Sequence, residues 1–270
     1  MRNTSRVILY KWVREHINNN DYINDKDQVS TLMRTNSRII EDLLNLNIAI
    51  LEGVEERFLT NEDRDLQWEQ RPLEEIIKER RNILSAYMPE KKIDEFYKKM
   101  KKNDNSIFNS LLNVLNDISK ERLKNFKLEK VAHDTDSDSH QVFLSYAFED
   151  RLYTLCLYMY FLSQGVTLYV DWLYCDALPT GIDIKDNLTN ELSNSKQFLF
   201  FRSANSELHI QGNVEIKGWC SWEMGTFYTL NNINQDEKYY IGLYDEKEID
   251  PKSQLNGFRK LTGINHGVLV

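Results

Sequence analysis

The sequence predicts an α/β domain, a parallel sheet with helices on both faces, preceded by an all-α domain. Three observations lead there. Residues 1–130 hold one glycine, Gly53, and two prolines, Pro72 and Pro89, which is too little punctuation for a strand-and-turn protein. After residue 140, short apolar runs alternate with segments of helical period, the grammar of right-handed βαβ crossovers. The charge divides at the same place. Residues 1–130 carry 24 Lys+Arg against 23 Asp+Glu, whereas residues 131–270 carry 10 against 19. The net charge of −8 therefore belongs to the second half, whose field repels a phosphate backbone and argues against nucleic acid as its ligand.

In the first half, RVILYKWVREHI places Val7, Leu9, Tyr10, Val13 and Ile17 at three- and four-residue steps, a helical stripe. SRIIEDLLNLNIAILEG repeats it through Ile39, Ile40, Leu43, Leu44 and Ile48, with Gly53 as the expected C-cap. The order of these segments around DKDQVSTLM faintly resembles a helix-turn-helix, a pattern that three successive helices often produce by chance. Thr60 precedes an acidic first turn, Pro72 suits the first position of LEEIIKERRNILSAYM, and Pro89 closes that segment. KKIDEFYKKMKK reads as a solvated helix face over a stripe of Ile93, Phe96, Tyr97 and Met100, in preference to a polyanion grip. A last helix is expected from Ser106 to Lys124. VAHDTDSDSH, residues 131–140, reads as a linker between a helical domain over 1–130 and the domain over 141–270.

No run approaches the ~18 apolar residues that cross a bilayer, and MRNTSRVILYKW lacks the apolar core and cleavage site of a signal peptide. Three cysteines, Cys156, Cys175 and Cys220, show no CxxC or Cys/His spacing, so neither a disulfide framework nor a metal site is expected. A reducing cytoplasm is the expected compartment, with no membrane partner.

The second half opens with the strand QVFLSYA, then a helix through EDRLYTLCLYMYFLSQG closed by Gly165. VTLYVD is the next strand, WLYCDALPTG a loop, and IDIKDNLTNELSNS a helix on Ile182, Ile184, Leu188 and Leu192. The strand KQFLFFRS, a polar loop, the helix around WCSWEMGTFYTL and the strand YYIGLYD follow, and HGVLV is the candidate fifth strand. QFLFF and YYIGLY are apolar throughout, as strands covered on both faces must be.

VFLSYAFEDR (142–151), VTLYVD (166–171), the loop ending at Gly181-Ile182, FLFFRS (198–203) and WCSWE (219–223) follow one another as in a TIR (Toll/interleukin-1 receptor) domain of the bacterial kind. The resemblance covers about 130 residues and nothing before residue 140. It departs in a longer stretch between Ser203 and Trp219, a slightly longer loop after Asp171, and the absence of a closing helix. It implies a flavodoxin-like sheet and, as in many TIR domains, cleavage of the nicotinamide–ribose bond of NAD+, which is here the substrate rather than a cofactor.

That bond breaks through an oxocarbenium-like transition state, which asks for one carboxylate under the growing positive charge and for flat side chains against the rings. The resemblance makes Glu223 that carboxylate. Trp219 lies one helical turn earlier, on the same face, whereas Trp222 is assigned to packing, as is Cys220. Spacing alone leaves Glu223 a solvated or ion-paired helix residue. Phe143, Ser145 and Tyr146 stand at the end of the first strand, where ligands of open α/β sheets bind, and are candidate substrate-binding residues, with core packing the competing role for Phe143. Asp171, ending the second strand, is a further candidate. Asp150 is read as either a helix cap or a binding group, and Gly181 as a turn residue. WLYCDALPTG carries Trp172, Leu173, Tyr174 and Leu178, large apolar groups that either fold over their own domain or meet a neighbouring subunit. The resemblance favours a homo-oligomer built through TIR–TIR contacts and the helical domain. It also implies a role in anti-phage defence, with a second defence protein or a phage-derived activator as partner. The competing reading is a non-enzymatic TIR scaffold.

Overall fold

The computed structural model describes residues 4–19, 27–58, 89–101, 142–174, 181–203, 205–210, 213–230, 239–243, 258–265 and 268–270, with isolated residues between 78 and 86 and at 255–256. Two compact units divide the chain. One lies within residues 1–127, and the other spans 128–270 together with 22–32.

The described part of the first unit is helical, and residues 27–32, which are counted with the second unit, open its second helix. Helix α1, Thr4–Asn19, buries Val7, Tyr10 and Val13, the stripe that their spacing dictates. Helix α2, Asp27–Phe58, buries Leu32, Met33, Ile40, Leu43, Leu44 and Ile48, and the buried Asn47 amide donates to the Leu43 carbonyl at 2.7 Å. Because α2 is continuous from Asp27, DQVSTLM and SRIIEDLL form one helix, not two, and the helix-turn-helix order fails. Gly53 lies inside α2, not beyond its end. Helix α3, Glu90–Lys101, starts directly after Pro89, whose carbonyl accepts from the Lys92 amide at 2.9 Å. Ile93 is its described buried residue, and Arg81 bridges Glu90 and Asp94 across the helix start. Pro72, the helix expected near 106–124 and the linker 131–140 lie outside the described residues. No described helix is long and apolar enough to cross a membrane.

The second unit is an α/β fold. Its strands in chain order are β1 Val142–Ser145, β2 Leu168–Tyr169, β3 Gln197–Arg202, β4 Glu207–Ile210, β5 Asn213–Ile216, β6 Tyr239–Leu243, β7 Arg259–Lys260, β8 Ile264–Asn265 and β9 Val268–Leu269. Five form one sheet in the order β2-β1-β3-β6-β7, with every neighbouring pair parallel. Leaving out the β4–β5 hairpin, this is the doubly wound order 2-1-3-4-5.

Parallel neighbours require crossovers, and the helices supply them. Helix α4, Arg151–Ser163, joins β1 to β2 and ends at Gly165, whose φ of +75° is the left-handed backbone that glycine tolerates. A short helix α5, Asp171–Tyr174, and then α6, Gly181–Asn194, lead to β3, and α7, Gly218–Leu230, leads toward β6. Side-chain alternation along the strands sorts the helices by face. Phe143, Tyr169, Phe198 and Phe200 point to one side, where they pack with Leu188 and Leu192 of α6 and with Cys220, Met224 and Phe227 of α7. Phe201 points to the other, where its ring stacks on Tyr153 of α4 at 4.6 Å. Both faces of β1 and β3 are covered, which is why all their residues are buried.

Three expectations change, the first at WLYCDALPTG, where Trp172, Leu173 and Tyr174 belong to helix α5 and not to a loop. The polar loop after Ser203 contains an antiparallel hairpin, β4–β5. HGVLV is not the fifth strand of the sheet: β9 pairs antiparallel with β8, and β7 takes the fifth place. Residues 266–267 alone separate β8 from β9, a length that permits an antiparallel pairing of the two and no parallel one. The side chain of Gln197 then takes the place of a partner strand, donating to the Leu269 carbonyl at 3.1 Å and accepting from its amide at 3.0 Å.

Candidate functional site

The chain leaves β1 toward β2 on one side and returns to β3 on the other, so the carboxyl end of β1 is the switch point of the sheet, where such folds leave a crevice. Ser145, the last residue of β1, shares the side of Phe143 and therefore faces α7. Its Oγ donates to Oε2 of Glu223 at 2.5 Å. The two residues are 0% and 5% exposed. Glu223 is thus buried and not solvated, and no described cation pairs with it, which argues against the reading that spacing alone favoured.

Burial pushes the Glu223 carboxyl up to about 8, against an ordinary value of 4.5, and the negative charge of Asp171 pushes in the same direction. Hydrogen bonds from the side chains of Ser145 and Trp219 hold it back by favouring the ionised form. Asp171, just past β2, accepts from the Tyr146 hydroxyl and, at 2.7 Å, from the Trp172 amide. Burial raises the Asp171 carboxyl in spite of those bonds, and burial together with the Asp171 charge raises the Tyr146 phenol. The Glu223 carboxyl thus feels the Asp171 charge, and a buried hydroxyl and a phenol at the end of β1 bond the two acids. Such perturbed groups gathered at a switch point make this the candidate functional site.

Trp219 lies within the first turn of α7 and is 42% exposed, an accessible aromatic face beside Glu223. Trp222 is half-buried against the core under α7. Its ring centroid lies 5.3 Å from that of Trp219, and the Lys185 ammonium of α6 stands 5.9 Å from its own centroid. The two tryptophans therefore touch, although one faces solvent and the other packs. Cys220, buried with its thiol raised to about 12 by burial, offers its Sγ at 3.5 Å to the Tyr146 carbonyl and is no nucleophile.

Other candidates move to structural roles. Phe143 is 1% exposed and stacks on Tyr169 at 5.2 Å and on Phe198 at 5.9 Å, so it is core and touches no crevice. Asp150 makes no side-chain cap to α4. It is buried and accepts instead from the Ser203 hydroxyl and from the Asn205 amide at 3.0 Å, fastening the turn after β3 to the start of α4. Gly181 is the first residue of α6. Of the apolar loop, Leu173 is buried, Tyr174 stacks on Tyr169 at 5.5 Å and bonds Tyr158 at 3.1 Å, and the Trp172 indole donates to Thr154 at 3.1 Å. These three residues fold over their own domain because β2 is short and its flank needs cover. Leu178 lies outside the described residues. The Asp150–Ser203–Asn205 fastening and the Thr154–Trp172 bond carry no local sequence signal, since each joins segments far apart in the chain.

No protein family, curated protein or solved structure matches this chain in comparisons of sequence and fold.

Proposed function

We propose that the chain is a TIR-type enzyme with a flavodoxin-like domain that cleaves the nicotinamide–ribose bond of NAD+. The observation that carries this reading is the Glu223 carboxylate, buried at the switch point and hydrogen-bonded to Ser145. In the reaction the C–N bond breaks, nicotinamide leaves with the electron pair as a neutral base, and the ribose carbon becomes cationic. A carboxylate in a water-poor site stabilises that cation far more than one in water. Glu223 near neutral pH holds its proton much of the time, and the positive pyridinium of the substrate favours the ionised form when it docks. Trp219 supplies a ring for the nicotinamide or adenine face. Water then adds to give ADP-ribose, or a nucleophile of the same molecule adds to give a cyclic product. Exclusion of water sets the branch.

The helical unit brings the catalytic units together in a homo-oligomer, and a phage-derived activator or second defence protein acts through that assembly, in the cytoplasm. The test is nicotinamide release from NAD+ by the purified full chain over a range of concentrations, alongside Glu223→Gln. Release that depends on Glu223 and rises per molecule with concentration fits the proposal. Equal release by Glu223→Gln removes the assignment, and no release by a correctly folded assembly returns the chain to a scaffold role.

A further inference from the structure

A dinucleotide carries two phosphates, and the site described above is acidic. Glu223 and Asp171 both face the strand ends, and the half of the chain that contains them holds nearly twice as many acids as bases. Binding a diphosphate there requires a cation placed to offset that field. The described cations of this unit are few, and most are engaged or distant. Arg202 is paired with Glu207 at 2.5 Å, Lys217 with Glu149 at 2.9 Å, and Arg151 is buried over the Phe148 ring at 4.6 Å. Lys196 precedes β3 at the opposite end of the strands, and Arg259 and Lys260 lie on the edge strand β7.

Lys185 differs from all of these. It is exposed, on the second turn of α6, the helix that begins after the carboxyl end of β2. Its side chain makes no ion pair or hydrogen bond among the described residues, and its ammonium stands over the Trp222 ring, 5.9 Å from the centroid. Trp222 touches Trp219, which stands one helical turn before Glu223 on α7. A lysine, two tryptophans and the buried carboxylate thus form one continuous row. The charges run from carboxylate to ammonium, the order that complements a ligand with a cationic ring and outlying anionic groups.

We infer that Lys185, standing over the packed Trp222 ring, is the diphosphate-binding residue of this site, so that it selects dinucleotides over unphosphorylated nucleosides. The inference rests on the NAD-cleaving reading for its choice of ligand, and a binding measurement separates the two. ADP-ribose and adenosine are titrated into the full chain and into Lys185→Gln and Lys185→Arg, with tryptophan fluorescence and calorimetry as readouts. Lys185→Gln is expected to weaken ADP-ribose by on the order of tenfold, the worth of one charge-assisted hydrogen bond. Adenosine binding should be unchanged, Lys185→Arg should keep most of the ADP-ribose affinity, and the wild-type affinity should fall with salt. In turnover, Lys185→Gln should raise KM for NAD+ and leave kcat within about twofold. Equal ADP-ribose affinity in wild type and Lys185→Gln, equal loss for ADP-ribose and adenosine, or no ADP-ribose binding by the wild type each overturns the inference. Nicotinamide release that survives Glu223→Gln overturns the reading of the reaction, while the ADP-ribose comparison still decides the lysine.

Discussion

Ser145 and Glu223 lie 78 residues apart in the chain and 2.5 Å apart in space, a hydroxyl donating to a carboxylate where β1 ends and α7 passes over it. The bond stabilises the ionised form of an acid that burial otherwise drives toward neutrality.

Removing the donor should therefore move the acid further from its ordinary value. Ser145→Ala is expected to shift the acidic limb of the kcat/KM profile, which in the wild type should rise with a midpoint near 8, to higher pH. Nicotinamide release measured across pH checks this, and an unmoved limb would show that Ser145 does not tune Glu223.

Asp171 acts with the opposite sign. Its negative charge raises the Glu223 carboxyl, so Asp171→Asn should move the same limb to lower pH. Opposite displacements in the two variants distinguish electrostatic tuning from general damage, which would lower both profiles without moving them.

Glu223→Gln should lose ~10²- to 10³-fold in rate, as when one aimed electrostatic group is removed, and should also change the dependence of stability on pH. In the folded wild type the acid holds its proton up to about 8, whereas in the unfolded chain it releases it near 4.5. Its contribution is intact below the lower value and is lost as pH rises through the upper one. The glutamine does not titrate. Melting temperatures of the two proteins should converge near about pH 5, and the variant should gain on the wild type toward about pH 9. A difference that is constant with pH would contradict the burial of an ionisable Glu223.

Trp219 and Trp222 should separate activity from stability. Trp219 is 42% exposed, so Trp219→Ala should depress activity per folded molecule with a small change in melting temperature. Trp222 packs against the Phe143–Phe198 core, so Trp222→Ala should cost about 2–4 kcal/mol of stability, in the range for truncating a large half-buried side chain. Equal activity loss at equal stability would refute this division.

Asp150→Ala strands the Ser203 hydroxyl and the Asn205 amide in a buried turn and should cost about 1–3 kcal/mol in denaturant unfolding. Asp150→Asn keeps an acceptor oxygen and should lie closer to the wild type. No difference between the two would mean that the turn rearranges to find other partners.

What the sequence determined by itself was local. Glycine and proline scarcity read as helix, and helices α1 and α2 follow the apolar stripes of Val7–Val13 and Ile40–Ile48. Alternating strand and helix segments read as a parallel sheet, and β1, β2, β3 and β6 lie where short apolar runs fall. These features depend on periodicity within about a dozen residues, which a sequence displays directly. Local cues misled at Gly53, which sits within α2, where a glycine costs only about 1 kcal/mol relative to alanine.

Only the tertiary structure decided the rest. That Glu223 is buried, and not solvated, depends on β1 and α7 meeting across the sheet. That Asp150 fastens a turn and does not cap a helix depends on Ser203 and Asn205 arriving from β3. Trp172, Leu173 and Tyr174 are as apolar in a loop that meets a neighbour as in one that covers its own core, and only the positions of Thr154, Tyr158 and Tyr169 distinguish the two. Hydrophobicity is non-directional, so it states that a side chain leaves water but not what it meets. The contacts that turn a carboxylate into a tuned acid form only when distant strands and helices close on one another.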